Sequence, residues 1–312
     1  MRRRGRGAAF GLVAALLVTS CAGGEGTTER QILVEDDRDE APADPSPARS
    51  STETAAGVRA SARLPHTAGA LARELERVDQ ELKERLDQWV PSKKTRRSEE
   101  WHDLLLLGLR AQKIYRKLVT HERLARRVER RVGKTLAWKV HANVRAGRGL
   151  RALTTPLEPP IRMKTKRPAS PRKLLRFYKA ARRRFGIPWP ILASLNFVES
   201  KFGRLNGPSS AGALGPMQFM PATWDVYGRG DIMDPRDSIM AAARYLRASG
   251  APGRMRDALY AYNHSWAYVD AIQIYARQIK HDTRNYYGYY LYQVFVRTTE
   301  GDVQLTGPGS DT

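Results

Sequence analysis

The chain has 312 residues, 41% of them hydrophobic, and a formal net charge of +22; it is long enough for one catalytic-sized core plus accessory segments. A single cysteine, Cys21, excludes an internal disulfide and a cysteine-ligated structural zinc. The charge is uneven, with −1 on residues 1–61, +15 on residues 62–167 and +8 on residues 168–312. Such an excess attracts polyanions in general, but no nucleic-acid fold signature accompanies it and nucleic acid is not an expected partner.

The first twenty-one residues have the parts of an export signal: Arg2, Arg3, Arg4 and Arg6, an apolar run from Ala8 to Val18, and small residues before Cys21. The run is too short to remain as a membrane-spanning helix. V-T-S-C resembles the lipobox of bacterial lipoproteins, which implies lipid modification of Cys21 and a place on the outer face of the cell membrane. An ordinary signal peptide followed by an unpaired thiol is the alternative. For an exported chain the available polyanions are wall polymers and anionic lipid headgroups. Residues 22–61 are Gly, Ser, Thr, Pro and acid with almost no large apolar residue, a composition that predicts a disordered tether.

From residue 62 the pattern turns helical. Leu71, Leu75, Val78, Leu82, Leu86 and Trp89 recur at three and four, predicting an amphipathic helix that ends at Val90-Pro91. A second helix is expected from Ser98, with Glu99 and Glu100 in its first turn, through Trp101, Leu104, Leu105 and Tyr115. Further helical segments flank Gly133 and reach about residue 153, so that 62–153 reads as a basic helical accessory segment. The proline-rich, basic stretch 154–170 reads as a linker. Helices follow at about 171–185, 188–202, 235–249, 253–263 and 266–281, interrupted by the Gly/Pro-rich stretch 203–216. Only the end carries a strand signal: Tyr286 to Val296 is aromatic and β-branched, and Glu300-Gly301-Asp302 offers a turn before Val303-Gln304-Leu305. The expected fold is mainly α, with an aromatic β-hairpin tail over 283–312. That tail holds Tyr286, Tyr287, Tyr289, Tyr290 and Tyr292, which fit packing against the helices better than a glycan-stacking platform.

Leu192, Leu195, Glu199 and Phe202 share one face of the 188–202 helix, which puts a carboxyl on an apolar stripe. Such a residue is either paired with a buried arginine or, with no cation near, desolvated and protonated near neutral pH, as protonation of a glycosidic oxygen requires. Downstream, Ser209 to Trp224 sets glycines and a proline against Met217, Gln218, Phe219 and Met220. Tight turns at Gly212 and Gly215 would leave peptide groups and Gln218 free for a polar ligand. Ala261-Tyr262-Asn263 closes a helix with a phenol and an amide. Asp234-Pro235 reads as a helix cap, and the spacing of Asp225, Asp231 and Asp234 lacks a calcium-loop pattern, so no metal and no cofactor is expected. His264 reads as a surface or supporting residue.

Taken together, E-S-x-F-G, G-A-L-G-P-M-Q-F-M-P-A-T-W and A-Y-N, in that order over about residues 170–282, resemble the bacterial lytic transglycosylases. The resemblance implies a lysozyme-like helical catalytic domain over 171–282, acting on peptidoglycan glycan strands with Glu199 as the single catalytic acid/base. It also implies Ser209 and Gln218 as polar lining, Met217 and Phe219 as an apolar floor, and Tyr262 and Asn263 as sugar contacts. The implied reaction splits the bond between N-acetylmuramic acid (MurNAc) and N-acetylglucosamine (GlcNAc) without water, giving a 1,6-anhydromuramyl product, so a second carboxylate is not required. Two alternatives stand beside it: a hydrolytic muramidase of the goose-type lysozyme kind, and a cell-wall-binding protein without activity. The envelope setting adds the membrane, through Cys21, and anionic wall polymers as expected partners.

Overall fold

The computed structural model describes residues 63–310; the export signal, Cys21 and the tether lie outside the described residues. Among the described residues the chain forms eleven helices and one two-stranded sheet. Helix α1 (Ala68–Trp89) is capped by Thr67, whose hydroxyl accepts from the Ala70 N–H. It buries the predicted stripe from Leu71 to Trp89 and stops before Pro91. Helix α2 (Glu99–Thr120) starts at the Ser98 cap, which accepts from the Trp101 N–H. Gly133 separates α3 (Glu122–Glu129) from α4 (Lys134–Ala152).

The remaining helices are α5 (Pro171–Phe185), α6 (Trp189–Ser200), α7 (Pro221–Tyr227), α8 (Pro235–Ala248), α9 (Met255–Tyr262), α10 (Trp266–His281) and α11 (Arg284–Tyr290). Asp234 caps α8 by accepting from the Arg236 and Asp237 N–H groups. Short α7 is not legible in the sequence, since it buries none of its residues and so has no apolar period.

The C-terminal strand expected from Tyr286 begins only at Phe295. Tyr286 to Tyr290 belong to α11, and the hairpin is confined to β1 (Phe295–Thr298) and β2 (Gly301–Gln304). It is antiparallel, with Val296 opposite Val303 and Arg297 opposite Asp302. Aromatic β-propensity is overridden here by tertiary burial. Tyr286, Tyr287, Tyr289 and Tyr290 are all buried, and three of their hydroxyls bond inward: Tyr286 to the Pro171 carbonyl, Tyr290 to the Ala169 carbonyl and Tyr289 to Asn143.

One core runs across the predicted domain boundary. Leu82, Leu86 and Trp89 of α1, Trp101, Leu104 and Leu107 of α2, and Ala142 and Ala146 of α4 belong to the same buried cluster as Leu174, Tyr178, Leu192, Leu195 and Ile272. Helix α10 packs against both α4 and α6, so the accessory helices lie directly against the helices of the 171–282 region. Residues 154–170 are not loose. The Leu157 N–H donates to the Arg297 carbonyl, the Thr299 N–H to the Leu157 carbonyl, the Lys166 N–H to the Arg204 carbonyl and the Asn206 N–H to the Lys164 carbonyl. The stretch is a strap stitched to the hairpin on one side and to residues 204–206 on the other.

Candidate active site

Helix α6 ends in an abrupt reversal. Lys201, Phe202 and Gly203 take φ of 52°, 63° and 87°, left-handed conformations that side chains other than glycine seldom adopt. Ser200, fully buried, secures the reversal: its hydroxyl donates to the Pro216 carbonyl at 2.6 Å and accepts from the Gly203 N–H at 2.8 Å. That ties the end of α6 to the turn 214–219, where Leu214 and Phe219 exchange backbone hydrogen bonds. Gly215 in this turn has φ 75°, and a Cβ there would lie 2.0 Å from the Ile232 carbonyl oxygen. Glycine is required for both reasons. One residue before Ser200, Glu199 is thereby fixed at the bottom of a cleft of about 710 Å³.

Glu199 is 6% exposed. Its Oε1 accepts a short hydrogen bond from the Tyr268 hydroxyl, presented by the first turn of α10. Burial pushes the Glu199 carboxyl up to about 8, against the opposing influence of the Tyr268 hydrogen bond and the charge of Lys201. Burial and the nearby Glu199 charge also hold Tyr268 well above the usual phenol range, so it remains a donor. Among the described residues Glu199 is in no ion pair; the charge of Lys201 acts on it, and burial outweighs that charge.

The structure sorts the other expected site residues into two layers. Ser209, Gln218 and Asn263 line the cleft with Glu199. Ser209 also accepts from the Ala213 N–H, and Gln218, at φ 50°, donates through Nε2 to the Gly215 carbonyl, so both shape the wall they occupy. Met217, Phe219 and Tyr262 lie behind that wall. Met217 is fully buried, its carbonyl accepts from the Tyr262 hydroxyl at 2.7 Å, and Phe219 packs edge-on to Tyr262 and Trp224. Tyr262 therefore braces the turn from within the protein. His264 and Ser265 line the cleft.

Sequence reasoning missed Tyr268 and an entire wall. Leu150, Leu153 and Thr154 from the end of α4, and Arg162, Met163 and Lys164 from the strap, face the Glu199 side. Asn206 also lines the cleft, and its buried Oδ1 makes no hydrogen bond within the protein. Among the described residues Glu199 is the one carboxylate on the lining. No group of three or more His, Cys, Asp or Glu among the described residues could hold a metal ion.

The family model described as the transglycosylase SLT domain matches residues 176–281, a stretch that contains Glu199, the 214–219 turn, Asn263 and Tyr268. Over 113 residues the chain is 31% identical to the membrane-bound lytic murein transglycosylase F of Methylobacillus flagellatus, and equally so to that of Thiobacillus denitrificans. Each match covers 34% of this chain and 24% of the relative, so the chain spans about a quarter of the length of the curated relatives it matches. No solved structure matches the chain at comparable significance. The range matched by the SLT model holds Glu199 and the 214–219 turn, whereas Leu150, Leu153, Thr154, Arg162, Met163 and Lys164 come from outside it.

Proposed function

We propose that this protein is a peptidoglycan lytic transglycosylase, a carbon–oxygen lyase that splits the MurNAc–GlcNAc β-1,4 bond and leaves a 1,6-anhydromuramyl end. The observation that carries this reading is a lone carboxyl on the cleft lining, buried and pushed up to about 8. Most glycosidases that recruit water directly, or form a covalent intermediate, use two carboxylates. One protonated carboxyl suffices when the attacking hydroxyl is on the substrate itself.

Protonated Glu199 gives its proton to the glycosidic oxygen, and the C1–O bond breaks with the electron pair going to the leaving sugar. The carboxylate so formed takes the proton of the muramyl C6 hydroxyl as that oxygen bonds to C1. The proton returns to Glu199, and no water is consumed. Tyr268 supports both halves: its hydrogen bond to Oε1 fixes the carboxyl plane and stabilises the carboxylate between the two transfers. Asn206 and Asn263 offer amide groups to the sugar substituents.

The names of the relatives, membrane-bound lytic murein transglycosylases, fit an envelope protein carried there by the export signal and anchored through a lipid on Cys21. No described helix is long and apolar enough to cross a membrane. The +15 charge of residues 62–167 would then favour contact with anionic wall polymers. The test is Glu199→Gln, assayed by release of soluble fragments from purified sacculi. The rate should fall about 10²- to 10⁴-fold with sacculus binding retained; a fully active variant would remove Glu199 from the mechanism.

A further inference from the structure

A second cavity of about 210 Å³ adjoins the catalytic cleft and shares Leu150, Thr154, Met163 and Lys201 with its wall. It lies where α2, α4, the strap and the hairpin meet α6. Its walls are largely apolar, with Val119, Leu157, Phe197, Tyr292 and Phe295 among them. Four cations reach it: Arg116 from α2, Arg151 from α4, Arg297 from β1 and Lys201 from the α6 reversal. Among the described residues Asp302 is the one carboxylate on the lining, and it is shared by Arg116 and Arg151. Among the described residues neither Arg297 nor Lys201 is in an ion pair. They donate to the Thr154 and Phe197 carbonyls, at 3.0 and 3.1 Å respectively.

The excess of positive charge is felt inside the protein. Lys201 is pushed down to about 8, first by burial and then by the charge of Arg116, with Glu199 acting in the opposite sense. A polar group also waits there. The buried Tyr115 hydroxyl makes no hydrogen bond of normal length and angle, while Asn143 beside it commits Oδ1 to Tyr289 and Nδ2 to Lys139 and Gln278. Four cations facing one carboxylate, beside a poorly bonded buried hydroxyl in an apolar chamber, are costly unless an anion enters.

We infer that this chamber receives a carboxylate of the peptide branch carried by the glycan strand bound in the cleft. The inference rests on the peptidoglycan reading given above. Muramyl sugars carry short peptides whose methyl and methylene groups suit the apolar walls and whose carboxylates suit Arg297 and Lys201. The shared wall at Lys201 and Thr154 puts the chamber next to Glu199, so its occupant is tied to the sugar being cleaved. Seating the branch would set the register of the strand, placing the bond beside a peptide-bearing sugar at the acid.

The test is calorimetric titration of full-length protein carrying Glu199→Gln with two probes: a tetrasaccharide bearing its peptides, and the same tetrasaccharide after enzymatic removal of the peptides. The peptide-bearing form should bind about 10-fold more tightly, the scale of a buried hydrogen bond to a charged group. Adding Arg297→Gln should abolish most of that difference and leave the bare glycan unaffected. Arg151→Gln, on the rim of the chamber, should give a smaller loss of the same kind and guards against a folding defect in the first variant. Equal affinity for the two probes, or equal losses on both, overturns the peptide subsite and leaves the functional reading standing. Failure to bind either probe overturns both.

Discussion

Glu199 shows how far one residue can be read from sequence. Its place in α6 and its burial follow from the apolar run around it, although the helix is buried on nearly all sides rather than along one stripe, and Phe202, expected on that stripe, lies beyond its end in the left-handed reversal. The partner that decides its chemistry does not follow: Tyr268 is 69 residues away and reaches Oε1 only because α10 packs on α6. The acid must carry its proton to start the reaction, so kcat/KM should fall as pH rises through about 8, and a pH–rate profile on soluble glycan fragments measures that limb. Tyr268→Phe removes an influence that lowers the acid's pKa; the limb should move to higher pH while kcat drops about tenfold or more, a split that a merely structural tyrosine would not produce. The same shift bears on stability. A carboxyl whose folded value lies above its unfolded one, about 4.3, adds stability below that lower value and loses it as pH rises through about 8. Relative to Glu199→Gln, the wild type should therefore lose stability between pH 5 and 9, on the order of 4 kcal/mol at most, as read by denaturant melts at both pH values.

At the scale of elements, the caps and stripes that organise α1, α2, α5 and α8 are written locally, in Thr67, Ser98, Ser170 and Asp234, and the structure follows them. The 286–296 stretch fails because a short run apolar on both sides has no period to separate helix from strand. Its fate is set by the inward hydrogen bonds of three tyrosines to groups distant in the chain. The motif serine Ser200 is a further case, since its importance lies in joining α6 to the 214–219 turn, a contact invisible in one dimension. Ser200→Ala would leave the Pro216 carbonyl and the Gly203 N–H without their partner and should cost about 1–3 kcal/mol. Glu199 would be displaced with it, so activity should fall more steeply than thermal stability, as parallel melting and rate measurements would show.

For the whole molecule, residues 62–153 and 154–170 read in sequence as an accessory segment and a linker, yet α1, α2 and α4 share the core of the 171–282 region and the strap lines the cleft. Composition alone could not show this, because prolines and basic residues look alike in a loose linker and in a strap fixed by backbone hydrogen bonds. A chain beginning at residue 168 would expose the faces of Tyr287 and Tyr290 that Trp89 and Trp101 cover, each worth roughly 1.5–3 kcal/mol when buried. It should lack a cooperative melting transition, whereas residues 63–310 should melt in one; calorimetry on both distinguishes a shared core from two independent units. The chamber behind Lys201 is a property of this assembly, since α2, α4, the hairpin and α6 each contribute a cation to it.

The most direct measurement is the mass of the fragments released when the protein digests purified sacculi. An acid that works with the substrate's own C6 hydroxyl yields muramyl ends one water lighter than the hydrolysed form, and these should dominate from the earliest time points. Reducing muramyl ends alone would contradict the single-carboxyl lyase mechanism and assign the cleft to a hydrolase.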